Sequence, residues 1–250
     1  MTDVPDAHPR REFLGQFAAT VALAGIACAP AASGAPAPTP APGPSTGAAP
    51  AAGAGAVVAQ KQEPIHWDDS WTDRVRAAKH KAVFDGPEIA DGEAPGQAWL
   101  FYDGFAAAQH VTDLDVVPVV VMRHKGIPVA FNDHLWDKYE IGKWLKEKDP
   151  TTGKPARRNP YAHSEKGDKF ANLAPDGTLP ELHRRGAVLL GCSRAANWFA
   201  YQMAERTRQP FPLVKAEVRA NLVEGVILQP SGVYAVLRAQ EAGCAYIRAS

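Results

Sequence analysis

The sequence predicts a single α/β domain built on a mostly parallel sheet of about five strands, with helices on both faces. Three observations predict it. From His80 onward, short apolar runs alternate with segments of helical periodicity, the pattern of right-handed βαβ crossovers. One run, Asp115-Val-Val-Pro-Val-Val-Val-Met122, is almost continuously apolar and β-branched, as a strand buried on both faces must be. The chain from Gln60 to Ser250 is also the size of one domain with one substantial core, about 190 residues.

Taken in order, Trp67 to Lys81 is amphipathic and reads as a surface helix or turn. His80 to Asp85 is a short first strand ended by Gly86-Pro87. From Glu93 to Gln109, Ala94, Ala98, Phe101, Phe105 and Ala108 fall on one helical face. Asp115 to Met122 is the second strand, and Pro118 inside it points to an edge position or a bulge. Phe131 to Tyr139 is a short helix capped by Asn132 or Asp133, and Ala187 to Leu190 a third strand. Ala195 to Arg206 and Leu213 to Leu222 are helices, and Gly225 to Leu228 is a fourth strand. Ser231 caps a helix that runs to Ala242, and Cys244 to Ile247 closes the sheet. Residues 145–180 break the rhythm. They are polar, carry Asp149-Pro150-Thr-Thr-Gly-Lys-Pro155 and Arg157-Arg158-Asn159-Pro160-Tyr161, and are too long for an ordinary connection. Such an insertion is either functional or disordered. Arg157 and Arg158 in it are read as a solvated basic loop, or as holding an anion or a neighbouring subunit.

Twenty-seven basic and 27 acidic side chains cancel, which leaves no electrostatic footprint for a nucleic-acid partner. Of the 22 prolines, seven lie between Pro30 and Pro50, in an uncharged stretch of Ala, Pro, Gly, Ser and Thr. Residues 30–59 therefore read as an extended tether. Ahead of it, residues 1–29 have the order of an export signal: Arg10-Arg11-Glu12-Phe13-Leu14, then an apolar stretch from Phe17 to Cys28. Arg10, Arg11, Phe13 and Leu14 match the twin-arginine signal, so the expected location is the periplasm. A lipoprotein variant would acylate Cys28, although Gly25 stands where such signals usually carry Leu, Val or Ile. The apolar stretch falls short of a membrane span, and no transmembrane segment is expected in the mature chain.

The order of elements, a cysteine just after the third strand, and the ending Gly225-Val-Ile-Leu-Gln-Pro-Ser-Gly-Val233 through Gln240-Glu-Ala-Gly243-Cys-Ala-Tyr246-Ile resemble the DsrE/DsrF-like superfamily. The resemblance covers about His80 to Ser250 apart from the insertion. It implies a flavodoxin-like layered fold, a trimer or hexamer, and in some members a relay of sulfane sulfur through a cysteine to partner proteins. Cys192 matches the relay position. Export and the insertion depart from the family pattern.

The residues themselves allow a related reading. Cys192 lies at the carboxyl end of its strand, at the mouth of the next helix, where the helix dipole favours a thiolate. Arg194 adds a cation. Arg123-His124, Asp85 and Ser231 all fall at the same sheet edge, where open α/β folds place ligands. Together they would make a pocket of thiol, imidazole, cations and carboxylate around Cys192. The plainer reading of Cys192 is a small buried packing residue. Cys244 is expected to fill the core inside a strand covered on both faces. The two should not bond, because opposite ends of parallel strands lie about 15 Å apart and a disulfide needs Cα atoms within about 7 Å. The histidines His124, His134, His163 and His183 have no ligand-pair spacing, so no metal is expected. No glycine-rich phosphate loop follows a strand, so no nucleotide cofactor is expected either. Two functions remain: a thiol-based sulfur carrier centred on Cys192, or an exported, oligomeric, non-catalytic module that binds a ligand or partner at the carboxyl edge and the insertion. Trp136, Trp144 and Tyr161, with little local core in view, would place the insertion at a subunit contact.

Overall fold

A computed structural model describes residues 66–250, so Arg10, Arg11, Phe13, Leu14, Cys28 and the 30–59 tether lie outside the described residues. The sheet has five strands, β1 (His80–Gly86), β2 (Val116–Met122), β3 (Val188–Cys192), β4 (Val226–Gln229) and β5 (Ala245–Arg248). All pairings are parallel and the order is β4-β3-β2-β1-β5. The helices are α1 (Trp71–Ala77), α2 (Glu93–Gln109), α3 (Asp133–Lys138), α4 (Ile141–Leu145), α5 (Lys169–Leu173), α6 (Leu179–Arg185), α7 (Ser193–Thr207), α8 (Phe211–Ala220) and α9 (Gly232–Glu241). None of them is long and apolar enough to cross a membrane.

Alternation along the strands sorts the core into two layers. Ala82, Phe84, Val120 and Leu189 pack with Ala98 and Tyr102 of α2, Phe199 and Met203 of α7, and Val218 of α8. Val83, Val119, Val121 and Leu190 pack with Trp71 and Val75 of α1 and Ala235 and Ala239 of α9. Val119, Val120 and Val121 are each fully buried, worth about 2 kcal/mol apiece relative to exposure.

Pro118 sits in the central strand β2, not at an edge. It pairs with Ala82 of β1 on one side, while the register with β3 begins only at Val119. On that side it stands outside the ladder, so its missing N–H breaks no bond there. Asn132 caps α3, its side-chain oxygen accepting from the Leu135 N–H, and Ser231 caps α9 by accepting from Tyr234.

The insertion is folded. Asp168 is fully buried and takes both ends of the Arg158 guanidinium, at 2.7 and 2.8 Å. Thr151 Oγ1 and the Glu165 N–H also donate to Asp168, and Arg158 Nε pairs with Asp149 at 2.9 Å. Arg158 is therefore the tie of the insertion and not a solvated basic residue, whereas Arg157 remains exposed beside Asp137 and Glu140. Asn159, fully buried, donates to the Val129 and Phe131 carbonyls and pins the insertion to the segment that leaves β2. The aromatics also have a core to enter. Trp136 is fully buried with its indole N–H on the Pro128 carbonyl, Tyr161 packs on Phe170, and Trp144 lies against Phe199 and Trp198. Trp136 and Tyr161 are therefore accounted for by the core of their own chain, and Trp144 stays partly exposed.

Candidate functional site

β3 leads into α7 on one face of the sheet and β4 into α9 on the other. The loops after these neighbouring strands therefore leave toward opposite faces of the sheet. Cys192 and Gln229 end those strands and are register partners. Counting by twos from Val83, Val121, Leu190 and Ile227 puts Asp85, Arg123, Cys192 and Gln229 on the α1/α9 side. Tyr246 of β5 pairs with Val83 and shares that side.

Side chains bind this row together. Arg123 Nε and Nη2 reach Asp85 Oδ1 and Oδ2 at 2.6 and 2.8 Å, and the Tyr246 hydroxyl donates to Asp85 at 2.9 Å. The bond to Asp85 raises the Arg123 pKa further, and the Cys192 thiol lies close enough to add to it. The N-terminus of α9 presses on the same guanidinium stem. A Cβ on Gly232 would stand 2.3 Å from Arg123 Cβ, so only glycine fits. Gln229 is fully buried; its amide donates to the Asp68 carbonyl, while Oε1 has no partner among the described residues.

Cys192 is 7% exposed, and its Sγ accepts the Ala195 N–H at 3.3 Å, so the thiol itself caps α7. Both Cys192 and Cys244 are free. Cys244 lies just ahead of β5, and burial pushes its thiol up to about 11. β5 is an edge strand with Ala245, Tyr246 and Arg248 exposed, so it is not covered on both faces. Asp85, Arg123 and Cys192 thus come to one edge, next to the Ser231 cap. His124, at φ 50°, and Arg194 are both exposed, and among the described residues neither makes a side-chain hydrogen bond to this group.

A cavity of about 730 Å³ lies elsewhere on the carboxyl side, between the start of α2 and the insertion, within the range of small-molecule sites. One wall is the turn Ala90-Asp91-Gly92, with φ of 43°, 52° and 81°. A Cβ on Gly92 would lie 2.5 Å from the Tyr161 ring, so glycine is required there twice over. The opposite wall is a small hairpin closed by Ala156 N–H to Glu147 O and Asp149 N–H to Lys154 O, whose Asx turn at Asp149 accepts from Thr151 and Thr152. It sets Glu147 into the cavity beside Tyr161 and Phe170. Burial, then Asp91, raises the Glu147 carboxyl above its ordinary range. Burial, then Glu147 and Asp91, raises the Tyr161 phenol, which stays neutral.

Sequence reasoning did not find Asp91, Glu147 or Tyr161 as site residues. Asp149-Pro-Thr-Thr-Gly153 was the available signal, a turn motif that presents whatever flanks it. No protein-family model, curated protein or solved structure matches this chain, so its own residues are what there is to read.

Proposed function

We propose that this protein is an exported binding module that takes a small ligand into the cavity between the 90–92 turn and the insertion. The observation that carries the reading is the turn itself. Ala90 and Asp91 are held left-handed without being glycine, at about 1–2 kcal/mol each. Such strain persists where the surroundings impose it, commonly at ligand sites. The test uses Gly96, whose added Cβ would meet Phe170 at an ordinary 3.6 Å and grow into the cavity. Thermal unfolding is followed against a panel of amines, amino acids, monosaccharides, aromatic acids and nucleosides. At least one class should stabilise the wild type and not Gly96→Leu. Silence across the panel removes the reading.

Export rests on Arg10-Arg11 ahead of the apolar stretch. Replacing both with lysine should hold the protein in the cytoplasm of a bacterial host. Self-association draws support from the outer surface of α7 and α8, where Trp198, Tyr201 and Leu213 are 53%, 48% and 64% exposed; a monomer by light scattering would end it.

A second reading, a sulfur carrier, is favoured by one observation: the Cys192 Sγ at the N-terminus of α7, near the Arg123 cation. The thiolate would take the outer sulfur of a donor persulfide, releasing the donor thiolate, and pass it on with no net redox change. Mass gain of one sulfur in the wild type and not in Cys192→Ser, after a sulfane-sulfur donor, is what that reading requires.

A further inference from the structure

We propose that the ligand of this cavity is a small organic ammonium ion with an apolar body, anchored on Glu147. The proposal rests on the binding reading above and names its chemistry. Glu147 is half-buried and, among the described residues, its carboxylate has neither a hydrogen bond nor an ion pair. Lys146, Lys148 and Lys169 line the same cavity, but all three are exposed, and Lys169 leans toward Asp91 instead. A carboxylate held partly out of water, with its neighbouring cations at the rim, favours a cation brought by the ligand.

The rest of the lining suits such a molecule. The rings of Tyr161 and Phe170 pack edge to face at 5.4 Å and give the cavity aromatic walls, to which an ammonium is attracted. Leu100 and Leu173, 57% and 66% exposed, stand at its margin with no core to serve. They offer contact to an apolar body.

The opposite assignment, an anion at the start of α2, is undercut by the first turn. Glu93 puts a negative charge at the helix N-terminus, and its N–H is already taken by the Ala90 carbonyl. Pro95 has no N–H to give. A helix start built for an anion keeps those donors free.

The experiment titrates the full chain with benzylammonium, benzyl alcohol and benzoate by calorimetry. Benzylammonium should bind, Glu147→Gln should weaken it by about tenfold or more, and Gly96→Leu should abolish it. Glu147→Gln is isosteric, and its unfolding temperature checks that the fold is kept. Tighter binding of benzoate, or an unchanged affinity in Glu147→Gln, overturns the assignment. If the alcohol or the acid enters and the amine does not, the cavity is a binding site and only the ammonium assignment falls. If none of the three binds, the ammonium assignment falls, and the wider panel decides the binding reading separately.

Discussion

Arg123 holds Asp85 by both carboxylate oxygens, joining the ends of β2 and β1 at a point where Asp85 is 3% exposed. Such a pair is less a source of net stability than a commitment: each charge is tolerable only while the other is present. Tyr246 supplies a third bond and draws β5 into the same knot.

Removing one partner should therefore cost more than removing both. Arg123→Met leaves Asp85 buried with Tyr246 alone and should destabilise by about 3–5 kcal/mol. The double variant Arg123→Met/Asp85→Asn should recover a large part of that loss. Urea unfolding of the two singles and the double measures it. Additive costs would mean that the pair is solvated and uncoupled.

The two thiols should differ in reactivity. Burial raises the Cys244 thiol to about 11, so it stays neutral, and slow to react, until the pH approaches that value. Cys192 stands at the sheet edge with an N–H aimed at its sulfur. Iodoacetamide followed by peptide mass analysis should modify Cys192 first across neutral and mildly alkaline pH. Modification of Cys244 in the folded protein well below pH 11, or at the same rate as Cys192, contradicts this order.

The sheet was legible because its signals are local. A β-branched run such as Val116–Met122 buries itself whatever lies around it, and Gly86-Pro87 or Ser231 punctuates the chain by its own geometry. Pro118 misled because a strand's place in the sheet depends on its partners, and β3 happens to begin one residue later. The insertion misled for a similar reason. Asp149, Arg158 and Asp168 look like scattered surface charges until the fold brings them within 3 Å. Trp136 looked homeless because its core comes from Pro128 and the neighbouring elements, not from residues beside it. Of the cavity, only the hairpin wall had a signature, the turn motif from Asp149 to Gly153; the 90–92 wall had none. Ala90 and Asp91 adopt a conformation that sequence reading reserves for glycine or asparagine.

Arg158 is the residue on which the insertion depends. Arg158→Ala leaves Asp168 buried without its cation, a loss of about 3 kcal/mol or more. Because the ties are confined to the insertion, the damage should be local. Limited proteolysis should cut residues 147–178 while the far-ultraviolet signal of the sheet persists. Arg158→Lys should not rescue it, since an ammonium cannot span both oxygens and Asp149 as well. Equal protease resistance of Arg158→Ala and wild type would show that the insertion is held some other way.

The strain at the cavity wall can be read directly from two substitutions of opposite sign. Ala90 is exposed at φ 43° and pays for its Cβ. Ala90→Gly removes that cost, about 1–2 kcal/mol, against an unfolded-state penalty of about 0.5–1 kcal/mol. It should stabilise the protein by roughly 0.5–1 kcal/mol. Two residues on, Gly92→Ala should do the reverse by about 2 kcal/mol or more, because its φ of 81° is left-handed and its Cβ would enter the Tyr161 ring. Ala90→Gly should also bind ligand more weakly, since the wall it loosens is the one that faces Glu147. Chemical unfolding with and without benzylammonium separates the two effects. Should Ala90→Gly be no more stable than wild type, the turn stores no strain, and the observation that singles out this cavity loses its force.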